Sequence, residues 1–270
     1  MTNIAQTVDI HRLYEAAVQC VEAEIDMVDA TYKSIRGYHA DYLREDFCGT
    51  AQTSVEWINR RSGNLALGVD IDSQVLAWSQ ANHLESLSEA ERARIQLLCE
   101  DVNTVELEPA QIILAMNFSY QLFDTRESLR TYFKNVRQSS SDDGVFFLDA
   151  YGGYESYKEV TEETQCEFEG HPFTYVWEQA SYNPITGAMH CYIHFSFEDG
   201  SKINRAFSYA WRLWTLPELQ ELLLEAGFQH VKVYWEGTDT ETGEGNGLYQ
   251  ESIKGDADAS WICYLSAHNN

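Results

Sequence analysis

The chain has 270 residues, 44% hydrophobic, 13% aromatic and 23% charged, with a mean hydropathy of −0.39. That is ample apolar material for a packed core and excludes a disordered chain; the length fits two domains, or one large α/β domain with an insertion. With 18 Lys and Arg against 43 Asp and Glu the net charge is −25, which repels polyanions and argues against a general nucleic-acid or anionic-membrane binder.

The opening segment to His11 has neither the basic nor the apolar region of a secretory signal. No apolar run approaches the roughly 20 residues of a membrane span, so a soluble, cytoplasmic protein is expected. Ile10, Leu13, Tyr14, Ala17, Val21, Ile25, Val28 and Tyr32 recur at the helical period, which predicts one long amphipathic helix or two with a short break over residues 1–40. From Tyr42 strands and helices alternate: strands at Tyr42–Asp46, Leu65–Asp70, Ile95–Cys99, Ile112–Met116 and Val145–Ala150. Helices fall at Ala51–Arg60, after a cap at Asp72 or Ser73, and after a capping box at Asp124 and Glu127. This alternation predicts parallel βαβ units with right-handed crossovers over residues 41–150.

Residues 151–210 break the pattern. The runs Phe173–Ser181, Ala188–Phe197 and Lys202–Ala210, separated by turn residues, predict an antiparallel β-meander inserted late in the sheet. A helix boxed by Thr215 and Glu218 and stopped at Gly227 follows, and strands at Val231–Trp235 and Trp261–Leu265 complete the core over residues 211–270. The intervening Glu236–Asp258, rich in glycine, reads as a loop. The expected architecture is therefore an α/β fold: a mostly parallel, Rossmann-like sheet of seven strands with helices on both faces, an N-terminal helical segment and a β-meander cap.

Ligands of open parallel sheets bind outside the carboxyl ends of the strands, so function is read there. The first strand runs into Glu45-Asp46-Phe47-Cys48-Gly49-Thr50-Ala51, where Gly49 permits close approach of a ligand to the backbone. The second ends at Asp70, placed to accept hydrogen bonds from two ribose hydroxyls. The third ends at Glu100-Asp101-Val102, and the fourth at Met116-Asn117-Phe118.

In this order, with Gly68-Val69-Asp70-Ile71-Asp72 and Asn117-Phe118-Ser119, the chain resembles the class I S-adenosylmethionine-dependent methyltransferases. The stretch Arg44-Glu45-Asp46-Phe47-Cys48-Gly49-Thr50 is similar to a bacterial branch of that superfamily. The resemblance extends through Gly144–Asp149 and from Trp214 to Phe228. It implies S-adenosylmethionine as cofactor and no metal. It also implies that Glu45, Cys48 and Gly49 surround the methionine part, Asp70 binds the ribose, Ile71, Asp101 and Val102 meet the adenine, and Asn117 lies near the sulfonium. Arg44 either holds the cofactor carboxylate or forms a structural ion pair. Phe47 and Ala51 replace the first and third glycines of the family's first motif.

A dinucleotide oxidoreductase would use Asp70 too, but would want G-x-G-x-x-G at the first turn. The three clustered cysteines of a radical enzyme and a P-loop are absent; Cys20, Cys48, Cys99, Cys166, Cys191 and Cys263 read as reduced thiols. His190 and His194 are too far apart along a strand for one zinc ion. In the resembled superfamily an inserted antiparallel cap covers the pocket of small-molecule N- or O-methyltransferases. Tyr175 and Trp177, which share a strand face, and His194 and Arg212 are candidates to meet the acceptor. Asp149, His194 and Glu178 are the available bases, and none is assigned as catalytic. A protein or nucleic-acid acceptor and a non-catalytic cofactor-binding protein stand as alternatives; the sequence has no basic stripe for phosphates.

Overall fold

The computed structural model describes residues 3–239 and 245–270. The N-terminal segment forms two helices, α1 (Ile10–Val18) and α2 (Val21–Arg36), broken at Gln19 and Cys20. Asp9 caps α1 by accepting from His11 N, and Gly37 ends α2 in the left-handed conformation, φ 83°. The alternating segment follows in order: β1 (Tyr42–Asp46), α3 (Gln52–Arg60), β2 (Leu65–Asp70), α4 (Ser73–Asn82), the single turn α5 (Glu89–Arg92), β3 (Ile95–Cys99), β4 (Ala110–Ala115), α6 (Arg126–Gln138) and β5 (Ser140–Gly152). Then come β6 (Val160–Phe168), β7 (His171–Tyr182), β8 (Ala188–Phe197), β9 (Lys202–Arg212), α7 (Leu216–Ala226), β10 (His230–Thr238), β11 (Gly245–Glu251) and β12 (Trp261–His268).

The central sheet has the order β11-β10-β12-β5-β4-β1-β2-β3. Strands β1 to β5 pair in parallel; β12 runs antiparallel to β5 and β10, and β11 antiparallel to β10. Strand order reverses between β1 and β4, which opens a crevice above their carboxyl ends. Leu129, Tyr132, Phe133 and Val136 of α6 and Leu219, Leu222 and Leu223 of α7 bury one sheet face. Ile25, Val28 and Tyr32 of α2 with Trp57 and Ile58 of α3 bury the other. Both faces are covered, which is why β4 and the Val145–Ala150 part of β5 read as nearly continuous apolar runs.

The second sheet, β6-β7-β8-β9, is antiparallel throughout. Its inward face carries Phe173, Ile193, Phe195 and Phe197, which pack against Leu13 of α1. The N-terminal helix is thus clamped between the cap sheet and the site below it.

Three expectations are corrected. The central sheet has eight strands among the described residues, not seven, because β11 lies in the segment read as a loop; residues 240–244 of that segment fall outside the described residues. The cap has a fourth strand, β6. Both are edge strands, largely exposed and polar or glycine-rich, so they lack the apolar alternation that marks a strand in sequence. The α6 capping box is formed by Thr125 and Ser128, one residue beyond Asp124 and Glu127.

Candidate functional site

The turn from β1 into α3 forms the floor of a cleft of about 930 Å³, including the space at its open mouth. Phe47, Gly49 and Ala51 have φ of 58°, 51° and 59°. The two positions that lack glycine therefore still hold the left-handed geometry that glycine adopts freely. The Phe47 ring is anchored against Phe123 and Tyr132, with centroids 6.2 and 5.5 Å away. Ala51 is fully buried and donates its N–H to the Cys48 carbonyl at 2.7 Å. A Cβ on Gly49 would meet no atom within 4 Å, so the backbone there faces open space. Gly68 is required for another reason: a Cβ there would lie 2.8 Å from the Cys48 sulfur.

Asp70 ties this turn to β2. One carboxylate oxygen accepts from Gly49 N at 2.8 Å and the other from Asp72 N at 2.9 Å. Each oxygen keeps a lone pair for a donor in the cleft. Glu45 accepts from both N and Oγ of Ser54, at 2.9 and 2.6 Å, and so caps α3 from the neighbouring strand. Burial pushes the Glu45 carboxyl up to about 7, against the pull of the Ser54 bonds. Glu24 of α2, whose Oε2 is closed off without a partner, is raised to about 7 for the same reason.

On the other side of the crevice Asn117 and Phe118 both have φ of 57°. The Asp149 carboxylate accepts from their two N–H groups at 2.8 and 2.9 Å. Burial raises its carboxyl to about 8, while those two amides pull it down. Each oxygen of Asp149 thus holds one amide of this strained turn. Of seven non-glycine residues with positive φ among the described residues, Phe47 and Asn117 line this cleft, and Phe118, next to Asn117, lines the cavity that adjoins it.

A second cavity, about 800 Å³ with its mouth included, lies between the cap sheet and the core. Tyr175 and Trp177 of β7, Tyr209 and Trp211 of β9 and Tyr151 of β5 give it aromatic walls. Trp177 lies 6.1 and 6.0 Å from Tyr209 and Trp211 by ring centroid. Tyr14, Asn117 and Tyr209 line both cavities and form the wall they share. The Tyr14 and Tyr209 hydroxyls lie beside each other, and burial raises both phenols.

Of the residues singled out in the sequence, Glu45, Cys48, Gly49, Asp70 and Asn117 line the first cavity, and Tyr175 and Trp177 the second. Arg44 lines neither. It is buried and pairs with Asp46 through Nε and Nη2, at 2.6 and 3.0 Å, with Ser139 on Nη1; Tyr132 donates to the same Asp46 carboxylate. The ion-pair alternative is the one the fold adopts. Ile71, 72% exposed, stands at the end of β2. Asp101 accepts from Asn103 N at 2.8 Å beyond β3, and Val102 packs into the core.

His194 and Arg212 line neither cavity. His194 is on the face of β8 away from Ile193 and Phe195, bonded to Glu178 at 2.8 Å, which removes both as free bases in the cavities. Arg212 stacks on Trp214 at 3.7 Å and bonds Asp124 O and Glu218. The sequence reading missed His11, Tyr14 and Gln19, which reach the first cavity from α1 and its end. The helix break at Gln19 and Cys20 was the available signal.

No family model matches the sequence, and no curated protein matches it by sequence. Solved structures do. A S-adenosylmethionine-dependent methyltransferase from Clostridium acetobutylicum superposes with TM-score 0.66 at 15% identity, covering 96% of this chain and 98% of its own. The amino pentose methyltransferase of Micromonospora echinaspora, solved with S-adenosylmethionine bound, gives 0.69 at 14% over 100% of both chains. A sugar N-methyltransferase from Streptoalloteichus gives 0.65 at 12%, over 100% of this chain and 96% of that one. The chain has the fold of these methyltransferases. That fold includes the mostly parallel central sheet and the separate antiparallel sheet over it.

Proposed function

We propose that this protein is an S-adenosylmethionine-dependent methyltransferase acting on the nitrogen of a small acceptor held in the aromatic cavity. The observation that carries the reading is the pair of cavities joined at Tyr14, Asn117 and Tyr209, one of them at the switch point of the sheet. Similarity in fold to an amino pentose methyltransferase and a sugar N-methyltransferase supports nitrogen over oxygen.

The residues of the first cleft fit the cofactor. Gln19 Oε1 and Thr50 Oγ1 are buried oxygens without partners on residues that line it, so this region suits a ligand that brings hydrogen-bond donors, such as an ammonium group. Asp70 offers its remaining lone pairs to the ribose hydroxyls. Ile71, exposed next to it, offers an apolar face to the adenine, with Asp101 and Val102 at the end of the adjoining strand. Gly49 lets the methionine portion approach the backbone, and Glu45 faces it from the floor.

When bound, the cofactor would supply a methyl group on a positive sulfonium for in-line displacement: the acceptor nitrogen attacks as the neutral amine, an ammonium form first giving its proton to solvent at the cavity mouth, and the S–CH3 bond breaks as the N–CH3 bond forms. The protein's part is therefore positioning and exclusion of water rather than strong base catalysis. Asn117, held by Asp149, and the two tyrosines fix where the acceptor nitrogen meets the cofactor. Tyr175 and Trp177 pack against the rest of the acceptor.

Calorimetry with S-adenosylhomocysteine, alongside NAD(H), tests the cofactor. Micromolar binding of the former, with S-adenosylhomocysteine released when a panel of small amines and S-adenosylmethionine are supplied, is the expected result. Binding of NAD(H) alone would overturn the reading.

A further inference from the structure

We propose that the aromatic cavity selects a positively charged acceptor that bears no phosphate, and that Glu162 is the residue setting this selection. The inference rests on reading that cavity as the acceptor site. Its only charged lining residues are Glu155 and Glu162; no Lys, Arg or His lines it among the described residues. A phosphorylated or nucleotide-linked acceptor would meet two carboxylates, on a chain of net charge −25, and no cation to pair with.

The two glutamates differ. Glu155 sits on the turn after β5 and pairs with Lys158 at 3.2 Å, so its charge is partly met at the rim. Glu162, on the edge strand β6, has no ion-pair partner among the described residues. It stands directly opposite Trp177 in the β6–β7 register, which puts its side chain on the same sheet face as that indole. Thr164 stands opposite Tyr175 two residues on. Glu162 is exposed at the edge of the cavity, and its carboxylate shares that cavity with Trp177, Tyr209 and Trp211; a free carboxylate and such rings together recognise an ammonium group. The ring faces and the carboxylate attract the same charge.

Gln179 adds to this. It is 5% exposed, lines the cavity, and donates through Nε2 to the carbonyls of Glu155 and Lys158, at 3.1 and 3.0 Å. That orientation leaves its Oε1, an acceptor, as the end without a partner. The amide and both carboxylates therefore offer acceptors to whatever enters.

The test uses the full chain loaded with S-adenosylhomocysteine and three probes on one scaffold: benzylamine, benzyl alcohol and benzyl phosphate, a cation, a neutral and an anion at neutral pH. Their affinities are read by ligand-observed NMR. Benzylamine is expected to bind at least about tenfold tighter than the phosphate, the range a like-charge juxtaposition against an attraction provides. Glu162→Gln is expected to weaken benzylamine about three- to tenfold while Glu162→Asp largely restores it. Glu162→Lys should reverse the order of benzylamine and benzyl phosphate, which a merely structural role would not do. Cofactor binding should stay at the wild-type value in every variant. Equal or tighter binding of the phosphate by the wild type, no binding of benzylamine, or an unchanged order in Glu162→Lys would overturn the proposal. Loss of S-adenosylhomocysteine binding by the wild type would instead defeat the methyltransferase reading itself.

Discussion

Asp70 is the residue on which the cofactor reading can be tested most sharply, because the structure separates its two tasks. Within the protein its carboxylate accepts from Gly49 N and Asp72 N, at 2.8 and 2.9 Å. In Asp70→Ala both amides lie at the rim of an open cleft, where water replaces the lost acceptor. The stability cost is then about 1–3 kcal/mol, well short of unfolding a chain of this size. In ligand binding the same carboxylate would receive two ribose hydroxyls, each bond to a charged acceptor being worth about 1.5–3 kcal/mol. Losing both amounts to about 3–6 kcal/mol, or roughly a hundred- to ten-thousandfold in affinity. Asp70→Asn keeps one acceptor oxygen but turns an NH2 toward a second donor, and should fall between. Calorimetric titration with S-adenosylhomocysteine, beside a thermal melt of each variant, separates the two effects. A folded Asp70→Ala protein that binds within about fivefold of wild type would refute the assignment, since no acceptor loss of that size fits a ribose held here.

Four further outcomes are expected. Burial raises Glu24 and Glu45 to about 7 and Asp149 to about 8, whereas in the unfolded chain such groups ionise near 4. The folded chain thus holds protons that the unfolded chain has released; this stability is complete at about pH 4 and is lost as pH rises through 7 to 8. The melting temperature should fall from pH 5.5 to 8.5, less so in Glu24→Gln, and a rising curve would contradict the burial argument. Arg44→Met leaves the Asp46 carboxylate buried without its partner and should cost about 3–5 kcal/mol by urea denaturation; Arg44→Met with Asp46→Leu should recover most of it. Ala51→Gly relieves a left-handed alanine against a looser unfolded chain, so its denaturation midpoint should move by less than about 1 kcal/mol. Asp149→Asn keeps an acceptor for one of the Asn117 and Phe118 amides and turns an NH2 toward the other, each amide being in a strained conformation; a loss of about 1–3 kcal/mol is expected, with weaker S-adenosylhomocysteine binding in calorimetry.

What the sequence determined by itself was whatever local chemistry can dictate. The box of Thr215 and Glu218, the stop at Gly227 and the cap at Asp72 need partners only two or three residues away, and each formed where its spacing placed it. The central strands β4 and β5 announced themselves by apolar runs, and Gly49 and Asp70 were legible because a strand end followed by a helix fixes where they point. Tertiary structure decided the rest, wherever a side chain's partner comes from a distant element. Arg44 had two acceptable fates until Ser139 and Tyr132 closed around it and its strand neighbour Asp46. The side of β8 on which His194 falls depended on which face α1 covers. Phe47 and Ala51 hold a glycine's conformation because packing against Phe123, Tyr132 and the core offsets the local strain. The edge strands β6 and β11 have one paired side and little apolar surface, so their conformation comes from the neighbour that binds them. The wall between the two cavities is built from α1, the end of β4 and β9, three segments far apart in the chain. No local pattern joins them, because only the packing of the helical segment and the cap over the sheet sets that meeting point.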